Sequence, residues 1–347
     1  MNARKVAPAQ RDQVRMMVAH ATRGTVSLSH ATPHDLGTWI RRGDALVVND
    51  AATLPASIVG RAPSGRNIEL RLFSRGPGRW SAVTFGSGTW RTPTERRGLP
   101  ETLSPGDSVT LSKAPGSVGA QSLELTIASV HDHSSRLVDL ELRDETELVR
   151  FLYEYGRPIQ YSYLTEELPI EAFQTAFADR PWASEMPSAG RPLTHEILAG
   201  LRRAGVRIAR LTHAAGLSST GDLDLDRRLP LPERYEIPED TVRAIQATRG
   251  EGGRVFAVGT TVVRALEGAF RTHGELRAGM GVTDLRIEAG FEPKVVDAIL
   301  TGMHAREDSH YALLAGFASE AVLDAAWDRG VRDGYERHEL GDVLLVH

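Results

Sequence analysis

The stretch Val255-Phe-Ala-Val-Gly-Thr-Thr-Val-Val-Arg-Ala-Leu-Glu267 runs through four apolar residues, one glycine and two threonines into an apolar face at helical spacing. It predicts a buried strand over 254–258 that breaks at Gly259 and restarts as a helix to about Phe270. Unpaired backbone N–H groups and the positive end of the helix dipole meet at such a junction, beside two hydroxyls, so it suits a carboxylate or a phosphate. Arg264 follows one turn later, within reach of the same region. A plainer reading gives Thr260 or Thr261 to helix capping alone. Because α/β sheets place ligands at the carboxyl ends of their strands, Gly259, Thr260, Thr261 and Arg264 stand as candidate binding residues.

Outward from this junction the same alternation recurs. Ala45–Asn49 is a buried strand that stops at Asp50. Residues 194–204 predict a helix with Ile197, Leu198 and Leu201 on one face, ended by Gly205; Val206–Leu211 follows as a strand, and 239–249 as a helix. Helices alternating with strands imply an α/β framework with a mainly parallel sheet. Between Ile58 and Leu142 the period changes to two, as in Ile68/Leu70/Leu72, Leu123/Leu125/Ile127 and Leu140/Leu142. Gly76-Pro77-Gly78, Pro105-Gly106-Asp107 and Pro115-Gly116 punctuate these runs. The expected organisation is therefore a discontinuous α/β domain, 1–57 and 149–347, carrying a small inserted β-barrel, 58–148.

Composition excludes whole classes. The 347 residues include no cysteine, which rules out disulfides, thiolate zinc sites, iron–sulfur clusters and a cysteine nucleophile. No stretch is long and apolar enough to span a membrane, and the N-terminus lacks the apolar core of a secretory signal, so a cytoplasmic chain is expected. Nothing in the sequence demands a second copy, and a monomer is expected. The net charge of −4 gives no global nucleic-acid footprint, yet residues 58–100 hold eight arginines against two glutamates, a local +6, with Phe73, Trp80, Phe85 and Trp90 among them. That stretch is either an RNA-facing surface or a solvated barrel with ordinary core aromatics.

Two further loops carry candidates. In Met186-Pro-Ser-Ala-Gly-Arg-Pro-Leu-Thr194 the start of a helix explains Pro192 and Thr194 but leaves Ser188, Gly190 and Arg191 over. In Gly156-Arg-Pro-Ile-Gln-Tyr161, Arg157, Gln160 and Tyr161 can either contact a base or sugar or tie down a loop. His131 and His133 share a strand face without a third ligand, so no metal is expected. His304 follows a helix-like apolar run containing Val295, Val296 and Ile299. There is no G-x-G-x-x-G, P-loop or G-x-S-x-G signature, which argues against a dinucleotide enzyme, a P-loop NTPase and an α/β-hydrolase.

Taken in order, these segments resemble the S-adenosylmethionine:tRNA ribosyltransferase-isomerase family of queuosine biosynthesis, over nearly the whole length. The resemblance rests on Arg42-Gly-Asp-Ala-Leu-Val-Val-Asn-Asp50 with Leu54-Pro-Ala56, Gly156-Arg-Pro-Ile159, Phe173-Gln-Thr-Ala-Phe-Ala178, Pro187-Ser-Ala-Gly190 with Thr194, Ala257-Val-Gly-Thr-Thr261 through Arg264 and Leu266-Glu267, Val296-Asp297 with Thr301 and His304, and Gly341-Asp342. It implies the same α/β domain with an inserted barrel. It also implies that S-adenosylmethionine, as co-substrate and without a metal, gives its ribosyl carbons to the aminomethyl group of a 7-deazaguanine in tRNA, releasing adenine and methionine and leaving an epoxycyclopentanediol. Such chemistry needs a base for the proton beside the sulfonium, a donor for departing adenine and a grip on the methionine carboxylate. On this reading His304, Asp297 and Glu267 are base candidates. Gly259, Thr260, Thr261, Arg264, Ser188 and Gly190 hold S-adenosylmethionine, and Arg157, Gln160, Tyr161, Gln174 and Arg191 face the acceptor.

The chain departs from the family pattern inside these motifs. Pro192 stands where the family carries histidine, and in Thr212-His-Ala-Ala-Gly216 Ala214 occupies another histidine position while His213 is displaced by one, which on a strand reverses the side chain's face. The family's aromatic C-terminal segment is here Tyr335-Glu-Arg-His-Glu-Leu-Gly-Asp342. The alternatives are thus a divergent relative with a non-tRNA acceptor, or a non-catalytic nucleotide- or RNA-binding module.

Overall fold

The computed structural model describes residues 1–22, 25–76, 78–111, 122–287, 290–306 and 308–347. Pro77 and the Pro115-Gly116 turn lie outside the described residues. Strands Met16–Thr22, Thr25–Ala31, Ala45–Asn49, Arg207–His213, Glu233–Ile237, Val255–Val258, Gly279–Thr283, Ala298–Gly302 and Val343–Val346 form one sheet of nine. Its centre is parallel: Arg207–His213, Ala45–Asn49, Val255–Val258 and Ala298–Gly302 lie side by side in that order. Its flanks are mixed, with antiparallel pairs at Ala298–Gly302/Val343–Val346, Met16–Thr22/Thr25–Ala31, Arg207–His213/Glu233–Ile237 and Glu233–Ile237/Gly279–Thr283 and a parallel pair at Val343–Val346/Met16–Thr22. The sheet is therefore mixed around a parallel core, where the sequence suggested a mainly parallel one.

Burial on both faces explains the unbroken apolar strands. Leu46, Val48, Phe256, Val258 and Leu300 point into one core with Leu36, Ile40, Ile197, Leu198 and Leu201. Val47, Val255, Ala257 and Ile299 point into the other, with Val262, Val263, Leu266 and Ile245. Each such side chain contributes roughly 1.5–3 kcal/mol on leaving water. The run at Val295–Ile299 is not the helix-like element its spacing suggested: residues 295–297 lie in a loop, and from Ala298 the chain is strand, pairing on both sides with Val255–Val258 and Val343–Val346.

Between strand Ala51–Thr53 and helix Glu145–Tyr155 the chain forms a closed barrel of six strands, Ser57–Arg61, Asn67–Gly76, Arg79–Phe85, Ser108–Leu111, Leu123–His131 and Ser134–Glu141. Phe73, Trp80 and Phe85 are all buried in its core, so three of the four aromatics in the basic stretch fill the barrel and do not face a partner. Of the eight arginines there, Arg61, Arg66, Arg79, Arg91 and Arg96 are exposed, whereas Arg71 and Arg97 are buried around Glu69. Helix Glu145–Tyr155 packs Leu148, Phe151 and Leu152 into the same core. His133 falls in the turn after strand Leu123–His131, and His131 pairs with Asp139 at 3.0 Å, so the two histidines form no pair.

Candidate functional site

The carboxyl edge of the parallel core is where three sequence-distant segments converge. Val255–Val258 ends at Gly259 (φ 89°, ψ 159°), a conformation that favours glycine, and helix Thr260–His273 begins at the next residue. The Gly259 N–H donates to Leu300 O at 2.8 Å, which locks the junction beside Thr301. Ala189, in the 3-10 turn Ser188–Gly190, closes the other side; a Cβ on Gly259 would stand 3.5 Å from the Ala189 Cβ. Gly190 is also required by packing, since its Cβ would come within 2.8 Å of the Phe177 ring. From the neighbouring strand Asn49 Nδ2 donates to Thr261 Oγ1 at 3.2 Å and to His213 O at 2.9 Å. The structure thus brings together Gly259, Thr260, Thr261, Ser188 and Gly190 around a 14-residue helix N-terminus, a cradle that backbone N–H groups can offer to an anion.

His304 stands over the next strand end. Its Nε2 lies 2.8 Å from Thr301 Oγ1, and its ring stacks on His310 with centroids 4.9 Å apart. Burial, with His310 and His338 alongside, holds His304 well below the ordinary histidine range, so the ring is neutral. Beyond it lies a buried ionic cluster that sequence reasoning missed. Arg264 donates through Nη1 to Glu233 and through Nε to Leu285 O at 3.1 Å, while Glu233 also accepts from the Gly216 N–H at 2.6 Å. His213 Nε2 is 3.3 Å from Glu233, and burial together with Arg264 keeps that imidazole neutral. Arg264 is therefore not the free cation expected for a substrate carboxylate, because Glu233 already neutralises it; its buried Nη2 is without a partner. Glu185 completes this wall: it accepts from the Tyr161 hydroxyl and from the Ser218 N–H at 3.0 Å, and burial pushes its carboxyl above the usual range. Only clustering of distant polar residues marks Glu185 and Glu233, and one sequence carries no signal for it.

Several expected site residues prove to be clamps. Glu267 accepts from the N–H groups of Lys294, Val295 and Val296, each at 2.9 Å, so both its oxygens hold a loop. Asp297 sits at the opposite, amino end of the sheet, binding Val255 N at 2.7 Å and Arg249 at 2.9 Å, which removes it from the reacting centre. Gln174 pairs both ways with the Thr53 backbone and Gln160 both ways with Leu168, so neither amide is free for a base or sugar. Arg157 is exposed against Glu167 at 3.4 Å. Tyr161 joins the same wall as Glu185, with Arg71 of the barrel 5.3 Å from its ring, and Arg191 opens onto a cleft beside the Ser188–Gly190 turn. Asp342 fastens the C-terminal strand through Arg15 and the Glu336 N–H. Among the described residues no group of three histidine, aspartate or glutamate side chains is placed to hold a metal ion.

The fold and this edge define an α/β protein with polar and titratable side chains gathered at the carboxyl end of its parallel strands and a β-barrel beside it. The family described as "Queuosine biosynthesis protein" matches residues 2–346. An S-adenosylmethionine:tRNA ribosyltransferase-isomerase of Thermus thermophilus is 35% identical over 339 residues, 97% of this chain and 93% of its own. One from Trichlorobacter lovleyi is 31% identical over 97% of this chain and 94% of its own. A crystal structure of S-adenosylmethionine tRNA ribosyltransferase from Thermotoga maritima shares the fold, with a TM-score of 0.53 at 24% identity over 100% of this chain and 96% of that one. The chain belongs to the queuosine biosynthesis protein family.

Proposed function

We propose that the chain is a S-adenosylmethionine:tRNA ribosyltransferase-isomerase, working in the cytoplasm on a 7-aminomethyl-7-deazaguanine of tRNA. The observation that carries this reading is the family match from residue 2 to residue 346, together with relatives of that name alike over 97% of the chain. Such a match does not favour the non-tRNA acceptor or the non-catalytic module. The division into an α/β domain, 1–57 and 149–347, and a barrel, 58–148, belongs to the same reading.

The residues present fit S-adenosylmethionine as substrate. The N–H groups opening helix Thr260–His273, with the Thr261 hydroxyl, take the methionine carboxylate, and the absent side chain of Gly259 leaves it room. The neutral His304 ring, fixed by Thr301, takes the proton from the carbon beside the sulfonium, which the positive sulfur acidifies. Glu185, whose carboxyl burial raises above its ordinary range, is placed to give a proton to departing adenine, and Tyr161 orients it. Arg264 and Glu233 hold the wall in place.

A label-transfer experiment tests the proposal. S-adenosylmethionine carrying label in its ribose should transfer that label to tRNA, and methyl-labelled S-adenosylmethionine should not. Transfer of methyl label, or of neither, contradicts it.

A further inference from the structure

On the far side of the Ser188–Gly190 turn from Gly259 lies a cleft of about 690 Å³ bordered by Arg11, Asp12, Thr175, Arg191, Thr194 and His195. Its chemistry is that of an unfilled anion site. Arg191 is 6% exposed, makes one side-chain hydrogen bond among the described residues, Nε to Ala172 O at 3.1 Å, and has no carboxylate within ion-pair distance among them. Arg11 likewise rests on a carbonyl, Nη1 to Gln174 O at 3.0 Å, with no acidic partner among the described residues. Two cations are thus brought to one cleft by carbonyls of a single segment. Thr175 lines the same cleft, is 5% exposed, and its buried hydroxyl has no hydrogen-bond partner among the described residues. An orphaned buried hydroxyl costs roughly 1–3 kcal/mol, a penalty that a ligand can relieve.

The nine-residue helix His195–Arg203 points its N-terminus at this cleft. Its capping residue Thr194 accepts from Ile197 N at 3.2 Å, leaving the N–H groups of His195 and Glu196 without helical acceptors. The nearby acids are Asp12, which is 2.9 Å from His34, and the exposed Glu196. Burial, with Arg11 and Arg4 close by, lowers Arg191 to about 10, so it stays charged. Two guanidinium forks, a hydroxyl and helix N–H groups suit a tetrahedral anion with several acceptor oxygens.

We propose that this cleft is a phosphate site, filled in the working enzyme by a phosphodiester of the RNA acceptor. The inference rests on the function proposed above. The Ser188–Gly190 turn then joins two anion sites: Ala189 backs the cradle at Gly259 for S-adenosylmethionine, and Arg191 grips the polynucleotide one step away.

Two probes test it in the full chain, using Thr175→Val and Arg11→Ala singly and together, which spare the buried Arg191. In the first, inorganic phosphate at constant ionic strength should raise the melting temperature of the wild type saturably against a chloride control, and the double variant should lose that rise. In the second, the double variant should bind tRNA about tenfold more weakly, with the slope of log K against log salt reduced by roughly one, and S-adenosylmethionine affinity unchanged within twofold. An unaltered phosphate response in the double variant, or unaltered tRNA affinity and slope, overturns the site. So does a loss confined to S-adenosylmethionine affinity, which would make this the methionine-carboxylate pocket. A wild type that binds no tRNA defeats the proposed function, and the phosphate titration still decides the cleft.

Discussion

Gly259 and Ala189, seventy residues apart in the chain, face each other so closely that a Cβ on the glycine would lie 3.5 Å from that of the alanine. This contact sets the width of the cradle at the start of helix Thr260–His273. Gly259→Ala adds a methyl there and forces a side-chain-bearing residue to φ 89°, at a cost of about 1–3 kcal/mol. The expected result by calorimetry is S-adenosylmethionine affinity reduced tenfold or more, with an unchanged far-ultraviolet spectrum. Affinity within twofold of wild type would place the carboxylate elsewhere.

Glu267 separates a clamp from a catalyst. Its carboxylate holds three backbone N–H groups, and hydrogen bonds to a charged acceptor contribute about 1.5–3 kcal/mol each. Glu267→Gln should lower the melting temperature by several degrees and leave kcat of the folded protein within a few-fold. An intact melting temperature with kcat down a hundredfold would return it to the reacting centre.

His304 should behave in the opposite way. His304→Gln is expected to lower kcat by roughly 10²–10⁴ while S-adenosylmethionine affinity stays within twofold, and Thr301→Val to move kcat in the same direction by less. Burial holds the ring's pKa well below 6.5, so the base form persists through neutral pH. The rate should therefore be flat from pH 6.5 to 8 and fall only on further acidification. An acid limb centred above pH 6.5 contradicts a buried neutral base.

Glu339 predicts a pH dependence of stability. Burial raises it to about 7, and its Oε2 has no hydrogen-bond partner among the described residues. The folded chain then binds more protons than the unfolded chain between the ordinary glutamate range and about pH 7, so this residue's contribution falls as pH rises through that window and stays lost above it. Glu339→Gln should be more stable than wild type at pH 8 in urea titrations, with the difference shrinking towards pH 5. A constant difference across that range would remove the titration from the account.

What the chain discloses by itself follows the reach of its interactions. Strand Ala45–Asn49 and the break at Gly259 are legible because apolar runs, glycine and caps act within a few residues. Helix His195–Arg203 is legible for the same reason, down to its cap at Thr194. The strand Ala298–Gly302 is not, since Val295, Val296 and Ile299 fit a helical face equally well until Glu267 holds the first two and neighbouring strands pair the third. Gln160, Gln174, Glu267 and Asp297 carry groups able to do chemistry, and only the backbone atoms they meet across the fold show that these groups are spent. Glu185 and Glu233 err the other way: nothing adjacent in sequence marks them, and their importance comes from sharing one buried wall with His213, which the sequence shows only as a displaced histidine.

The central claim meets its most direct test in one incubation: pure protein, S-adenosylmethionine and tRNA bearing 7-aminomethyl-7-deazaguanine, with free adenine and the mass of the modified nucleoside followed together. The account predicts adenine released in step with a nucleoside that has gained the epoxycyclopentanediol. Absence of adenine, or adenine released with the nucleoside mass unchanged, would contradict it.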